Sequence, residues 1–173
     1  MKTLILLRHG KSDWDADYVG DHQRPLAKRG QKASIKVGRF LARTNEVPEL
    51  VLCSTALRTQ ETLELAMDAG EWTDVDVKYD NTIYHAGYDQ MLRSLAALPD
   101  DVEHVMVVGH EPTISLLAGQ LIGGAFINFP TAGIVRIDLN LNHWKSCRSG
   151  VGTLIWHIIP RHLKTGIKIS KKI

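Results

Sequence analysis

The sequence predicts a single-domain, three-layer α/β/α fold with a mainly parallel sheet. Short apolar runs alternate with segments of helical periodicity along the chain. The resulting order, β-α-β-α-β-α-β-α followed by two strands, is typical of a mainly parallel sheet with helices on both faces. A length of 173 residues corresponds to one domain of ordinary size, with enough chain for a substantial core.

The first half of the chain predicts two strands and two helices. The apolar run 3–7 predicts the first strand, and a polar loop over 14–24 follows it. Pro25 predicts the start of a helix, because proline suits a first helical turn and apolar residues recur at helical spacing after it. Residues 49–53 predict the second strand, and the helix that follows is expected to end at Gly70.

The second half of the chain repeats this pattern and then closes the sheet. Its predicted elements are a strand at 75–79, a helix at 88–95, a strand at 104–108 and a helix at 114–121. Two further strands, 133–139 and 153–159, flank a polar loop and predict a hairpin. We expect the domain to span residues 1–160, with the basic segment 161–173 as a solvated tail.

Composition and charge narrow the class of protein. The sequence is 44% apolar and 23% charged, close to soluble globular averages, and its net charge of +2 gives no indication of a nucleic-acid partner. It contains neither a signal-peptide pattern nor an apolar run near the roughly 20 residues of a membrane helix. We therefore expect a cytoplasmic protein with no membrane partner. Cys53 and Cys147 match no disulfide or metal pattern, and Cys53 is expected to be a buried thiol.

Three predicted strand ends carry basic or hydroxyl side chains. Arg8-His9-Gly10 and Ser12 follow the first strand, Ser54 and Arg58 follow the second, and Gly109-His110 follows the fourth. Because the carboxyl ends of parallel strands meet at one sheet edge, these groups are expected to converge there. The helices that start nearby add N–H donors and positive dipole ends. The sequence therefore predicts a pocket for a dianion, and phosphate fits it best.

The residue types in this pocket favour phosphoryl transfer without a metal or cofactor. No Walker-type glycine loop with lysine is present, and the arginines oppose a cation at His9 and His110. A neutral imidazole can attack phosphorus, while the arginines stabilise the charge on the phosphoryl oxygens. Attack of water on the phosphoimidazole then gives hydrolysis. These arguments predict a metal-independent phosphatase.

The same residues resemble the histidine phosphatase superfamily, also called the phosphoglycerate mutase-like fold, and most of all its short SixA-type phosphohistidine phosphatases. The matching motifs run in family order over residues 3 to about 139. They are Arg8-His9-Gly10, Asp21, Arg24-Pro25-Leu26, Gly30, Ser54, Arg58-Thr59-Gln60, Ile83-Tyr84-His85-Ala86 and Val108-Gly109-His110-Glu111-Pro112. The resemblance implies that His9 is the phosphorylated nucleophile. It implies that Arg8, Arg58 and His110 hold the phosphoryl group.

Other residues near these motifs are candidates for substrate binding. We expect Gly10, Ser12, Arg24 and Glu111 to contribute. Asp15 is not expected to do so, although many relatives carry a phosphate-contacting asparagine at this position. Its carboxylate would repel a dianion unless it is paired, with Arg24 or Lys28, or turned outward.

Larger relatives carry an acidic residue that this chain lacks, and the difference bears on the choice of substrate. Those members carry a helical insertion and an acidic residue that protonates the leaving oxygen, whereas residues 65–95 here are compact. A protonated phosphoimidazole leaves as a neutral ring and needs little acid help, whereas an alkyl ester needs a proton donor. The pattern favours phosphohistidine on a partner protein, with Glu111, His85 and Asp13 left as possible donors.

Two other functions stay open at this point. A small-molecule phosphomonoesterase acting on a phosphorylated metabolite would use the same pocket. A non-catalytic phosphate-binding module would also use it, but binding alone requires only the arginines and N–H groups. The presence of His9 favours an enzyme.

Overall fold

The computed structural model of the protein describes residues 1–163 and contains one six-stranded sheet. The strands are β1 (Lys2–Arg8), β2 (Leu50–Ser54), β3 (Asp76–Asp80), β4 (His104–Gly109), β5 (Ile134–Leu139) and β6 (Gly152–Ile158). Their order across the sheet is β3-β2-β4-β1-β5-β6. The first four strands are parallel, whereas β5 runs antiparallel to β1 and β6 antiparallel to β5. The predicted mainly parallel sheet and its closing hairpin are confirmed.

Helices cover both faces of the sheet. They are α1 (Lys28–Arg43), α2 (Leu57–Gly70), α3 (Thr82–His85), α4 (Tyr88–Ala96) and α5 (Thr113–Leu121). Apolar residues of α1 and α2 form one buried cluster with the sheet, and those of α4 and α5 form another. Ile5 and Leu7 belong to the first cluster, whereas Leu4 and Leu6 belong to the second. This alternation is the period-two geometry of a strand buried on both faces, which explains the unbroken apolar run.

The start of α1 differs from the prediction. Pro25 does not begin the helix, because the adjacent Leu26 forms an isolated antiparallel bridge with Ser12. The backbone N–H of Leu26 also donates to Glu61 Oε2 at 2.6 Å. These contacts hold the chain outside the helix until Lys28. The short helix α3 was not predicted, because a single turn is too short to show a helical period.

Several other expectations concern the ends and surface of the fold. Cys53 is buried and both cysteines are free thiols. No helix within residues 1–163 is long and apolar enough to cross a membrane. Pro160–His162 form a 3-10 turn after β6. Residues 164–173 of the predicted basic tail lie outside the described residues, so the proposed boundary at 160 stays a prediction.

Candidate active site

The carboxyl ends of three neighbouring strands bring the predicted site residues together. Arg8 at the end of β1 is in register with Gly109 at the end of β4, and Cys53 of β2 is in register with Val108. The residues that follow these strands therefore lie at one edge of the sheet. The rings of His9 and His110 have centroids 5.1 Å apart.

His9 is buried and held in one tautomer. Its Nδ1 lies 2.7 Å from the carbonyl oxygen of Gly10, and this oxygen can only accept, so Nδ1 carries the proton. Burial and, to a smaller extent, the positive charges of Arg58 and Arg8 lower the pKa of His9 to about 4, although the hydrogen bond to Gly10 opposes this shift. The ring is therefore neutral at pH 7, with a lone pair on Nε2. This is the form in which imidazole acts as a nucleophile.

His110 occupies the start of the segment leading into α5. Its Nε2 lies 2.8 Å from Ser54 Oγ, and the edge of its ring packs against Tyr84. Burial and, to a smaller extent, the nearby His9 and Arg58 lower the pKa of His110 to about 3. Its Nδ1 is buried with no hydrogen-bond partner among residues 1–163.

Two arginines, the half-buried Arg8 and the buried Arg58, are each fixed at one end of the guanidinium. Arg8 Nη1 donates to the carbonyl of Phe129 at 2.6 Å. Arg58 donates from Nη1 to the carbonyl of Asp21 at 2.7 Å and from Nη2 to Asp21 Oδ2 at 3.0 Å. Burial lowers the pKa of Arg8, and the Glu111 carboxylate partly opposes this effect. Arginine keeps its charge under such a shift, so Arg8 remains a cation.

Each arginine also retains a buried donor that the described part of the chain leaves unpaired. These atoms are Arg8 Nε and Arg58 Nε. An unpaired buried N–H costs about 1–3 kcal/mol, so such groups are rare without a reason. Together with Nδ1 of His110, they give the site three buried nitrogens without a hydrogen-bond partner in residues 1–163.

Asp21 links the basic side chains of the site. Its Oδ1 accepts from Arg24 Nη2 at 2.7 Å, and its Oδ2 accepts from Arg58 Nη2 and from the Tyr84 hydroxyl at 2.8 Å. Partial burial raises the pKa of Asp21, but the hydrogen bonds from Tyr84 and Arg24 and the charge of Arg58 bring it down to about 2. Asp21 is therefore ionised and orients both arginines. Sequence reasoning did not include it among the site residues, although it stands in a motif with Arg24.

Gly10 and its neighbours are held from α2. The N–H of Gly10 donates to Thr62 Oγ1 at 2.9 Å, and the Thr62 hydroxyl donates to the carbonyl of Arg58 at 2.6 Å. Thr62 is fully buried. The Gly10 N–H belongs to the His9–Gly10 peptide, and the carbonyl that holds the His9 ring belongs to the next peptide. Thr62 therefore anchors the backbone at Gly10, one peptide before the carbonyl that orients His9. No pattern in the sequence indicated this role.

The loop after His9 also packs against the beginning of α1. A Cβ atom at Gly30 would lie 2.2 Å from the carbonyl oxygen of Lys11, so no other residue fits there without a backbone shift. The N–H of Ala27 donates to the same oxygen at 2.9 Å. The glycine therefore allows α1 to approach the nucleophile loop.

Ser12 and Arg24 lie beside this loop and contact each other. Arg24 Nη1 donates to Ser12 Oγ, and the guanidinium carbon of Arg24 lies 3.6 Å from the centroid of the Trp14 ring. Arg24 pairs with Asp21 rather than with Asp15, which is exposed. The structure therefore places Ser12 and Arg24 at the site, while their contact with substrate stays a prediction.

The predicted binding residue and proton donors occupy different environments. Glu111 Oε2 accepts from the Ser115 hydroxyl, whereas its Oε1 is buried without a partner in residues 1–163. Its carboxylate is close enough to Arg8 to affect that pKa. His85 is exposed and packs edge-on against Tyr84, with ring centroids 4.3 Å apart. Asp13 Oδ1 accepts the backbone N–H of Asp15 at 3.0 Å. The roles of Glu111, His85 and Asp13 in binding or proton donation stay predictions.

Comparison with known proteins identifies the family. The family model for branch 1 of the histidine phosphatase superfamily matches residues 4–83. An uncharacterized protein of Mycobacterium leprae is 32% identical over 167 residues, covering 90% of this chain and all of the relative. The chain belongs to the histidine phosphatase superfamily.

Within the superfamily, the chain has the short SixA-type form. The structure of the protein histidine phosphatase SixA complexed with tungstate superposes with a TM-score of 0.80 at 27% identity, covering 94% of this chain and 99% of that one. A protein from Agrobacterium tumefaciens that carries the name SixA gives a TM-score of 0.78 at 28% identity, covering 92% and 98%. The predicted family and phosphoglycerate mutase-like fold are confirmed.

Proposed function

We propose that the protein is a phosphatase that works through a covalent phosphohistidine on His9, with phosphohistidine on a protein as its substrate. The observation that carries this proposal is the state of His9. Its Nδ1 proton is held by Gly10, which leaves Nε2 with its lone pair beside three buried nitrogens that lack partners in the described chain. We assign phosphoryl binding to Arg8, Arg58 and His110.

The proposed reaction has two displacements at phosphorus. In the first, His9 Nε2 attacks, the N–P bond to His9 forms, and the bond to the leaving imidazole breaks. The electron pair of that bond goes to the leaving nitrogen. In the second, water attacks the phosphorus of phospho-His9, its N–P bond breaks, and the electron pair returns to Nε2. The products are inorganic phosphate, a proton released to solvent, and free His9. The arginines favour both steps by stabilising the equatorial oxygens.

The electrostatics of the site support a phosphohistidine rather than an alkyl ester. An alkoxide leaving group requires a general acid, whereas a protonated phosphoimidazole departs as a neutral ring. Asp21, the carboxylate bound to both Arg24 and Arg58, has a pKa of about 2 and is ionised at neutral pH. It is therefore a poor proton donor. The SixA name of the similar structures also supports this substrate.

We further propose that the reaction needs no metal and no cofactor, and that it takes place in the cytoplasm. Within residues 1–163, no three or more His, Cys, Asp or Glu side chains form a group that could hold a metal ion. The cationic arginines supply the charge that a metal would otherwise provide. Activity is therefore expected to survive a strong chelator. A reproducible loss that added metal restores would contradict this part of the proposal.

A side-by-side rate comparison tests the choice of substrate. Wild-type protein and His9→Ala are assayed on a phosphohistidine protein and on a panel of alkyl and aryl phosphate esters. We expect the highest kcat/KM on the phosphohistidine protein and no turnover by His9→Ala. Faster hydrolysis of an ester would favour the small-molecule phosphomonoesterase. Phosphate binding without turnover on any substrate would favour the non-catalytic module.

A further inference from the structure

A basic groove lies beside the candidate active site and has no part in the proposed chemistry. It is a cavity of about 620 Å³ between the start of α1, the loop before β5 and the segment after β6. Five cationic side chains line it: Lys11, Arg29, Lys32, Lys36 and Arg161. Its other described lining residues are apolar or neutral, and none of them is acidic.

The groove lies next to the sheet edge that carries His9. Lys11 is two residues beyond His9. Residues 159–161, which form one wall of the groove, directly follow Ile158, and Ile158 is in register with Ile134 at the same edge. The loop 129–132 connects the two sites directly. Its Phe129 carbonyl accepts from Arg8, and its Ala132 N–H donates to the backbone carbonyl of His9 at 2.9 Å. This loop therefore borders both sites, and a peptide bound at His9 lies close to the groove.

The positive charge of the groove is not neutralised within the described chain. None of its five cations forms an ion pair with a carboxylate of residues 1–163. The cations at the active site differ in this respect, because Arg24 and Arg58 both pair with Asp21. A concave surface with one sign of charge concentrates the electric field and attracts ligands of the opposite sign.

The spacing of the cations favours an extended ligand over a single small anion. Arg29, Lys32 and Lys36 share one face of α1, and seven residues of helix span about 10 Å. One phosphate or carboxylate cannot contact all of them together with Lys11 and Arg161. Several acidic groups along a peptide can do so.

We propose that this groove binds an acidic segment of the phosphoprotein whose phosphohistidine is cleaved at His9. The proposal rests on the function proposed above and adds to it a charge preference around the phosphohistidine. The groove increases the rate of productive encounter, and its contribution weakens at high ionic strength.

Two synthetic phosphohistidine peptides test this proposal. They are identical except that the phosphohistidine is flanked on each side by four glutamates in one and by four glutamines in the other. For each enzyme, the measured quantity is the ratio of kcat/KM for the glutamate peptide to kcat/KM for the glutamine peptide. A ratio within one enzyme preparation does not depend on the fraction of folded protein.

The variant Lys32→Glu/Lys36→Glu reverses the charge inside the groove. The matched control, Lys78→Glu/Lys145→Glu, makes the same change in net charge at two exposed lysines outside it, on β3 and in the turn 144–146. We expect wild type and the control to prefer the glutamate peptide about tenfold at low salt, and the groove variant to lose this preference. The wild-type preference is expected to fall as salt is raised from 50 to about 500 mM.

The outcomes separate the two proposals. If wild type cleaves neither peptide, the proposed phosphohistidine activity is wrong. If wild type cleaves both at equal rates, or if the groove variant keeps the glutamate preference, the activity stands and the docking role of the groove is wrong. An equal loss of preference in the control variant would also overturn the groove, because it would attribute the effect to overall charge.

Discussion

Replacing Thr62 by valine removes the hydroxyl that holds the peptide between His9 and Gly10. Thr62 is fully buried, its Oγ1 accepts the Gly10 N–H at 2.9 Å, and valine has nearly the same shape. The substitution therefore leaves a buried N–H unpaired, which costs about 2 kcal/mol. For a domain of this size, that loss lowers Tm by about 4–8 °C.

The same substitution is expected to affect catalysis, because the Gly10 carbonyl fixes the tautomer of His9. Without this anchor the backbone at Gly10 can shift, which weakens the hydrogen bond from Nδ1 to the carbonyl of the next peptide. We expect kcat/KM to fall about tenfold, or about 1.4 kcal/mol of transition-state stabilisation. Thermal denaturation and initial rates on a phosphohistidine substrate measure the two effects. Thr62→Ser, which keeps the hydroxyl, is expected to retain most of the activity.

Thr59→Val provides the matched control on the same helix. Thr59 is equally buried, but its hydroxyl donates to the carbonyls of Ser54 and Ala56, so its loss leaves no N–H unpaired. We expect a smaller loss of about 1 kcal/mol and less than a threefold change in kcat/KM. Equal effects of Thr62→Val and Thr59→Val on both Tm and kcat/KM would refute the role assigned to Thr62.

Three further predictions concern the charges of the site. An NMR titration should give His9 a pKa near 4 and a higher value in Arg58→Ala, because the Arg58 cation lowers it; an unchanged or lower value would contradict this electrostatic coupling. Asp21→Asn should lower kcat/KM about tenfold, because Asp21 orients two arginines. Tyr84→Phe, which removes only one hydrogen bond to Asp21, should lower kcat/KM less. Equal effects of the two substitutions would contradict the role of Asp21 in orienting the arginines. In the folded protein the pKa values of His9 and His110 lie below the value near 6.5 of an unfolded chain. At a pH between the folded and unfolded pKa values, the unfolded chain therefore binds more protons than the folded protein. The free energy of unfolding, measured with urea, should therefore decrease as pH falls from about 6.5 towards 4. It should decrease less steeply in His110→Gln, and an equal slope in wild type and variant would contradict the lowered pKa of His110.

The strand ends were predictable from the sequence because burial leaves a simple pattern. A central parallel strand is apolar on both faces, so the break at Arg8 marks the sheet edge. The same reasoning located Ser54 and His110, and parallel pairing then required these groups to converge. The register of β1, β2 and β4 shows this convergence.

The contacts that hold these groups in place were not predictable in the same way. Asp21 begins a single 3-10 turn, Asp21–Gln23, which is too short for a periodicity that would indicate the direction of its side chain. Thr62 occupies an ordinary buried helix position, and only the tertiary contact with Gly10 gives it a role. The start of α1 was placed at Pro25 from local preference, but the pairing of Leu26 with Ser12 and Glu61 determined the boundary.

The central claim, covalent catalysis by His9, is tested most directly by trapping the intermediate. The protein is mixed with a 32P-labelled phosphohistidine substrate, quenched in alkali within milliseconds, and mapped by peptide mass spectrometry. We predict an acid-labile, alkali-stable phosphoryl group on His9 Nε2, formed and lost at rates consistent with turnover and absent in His9→Ala. Wild-type turnover with no label on His9, or with label on another residue, would contradict the account.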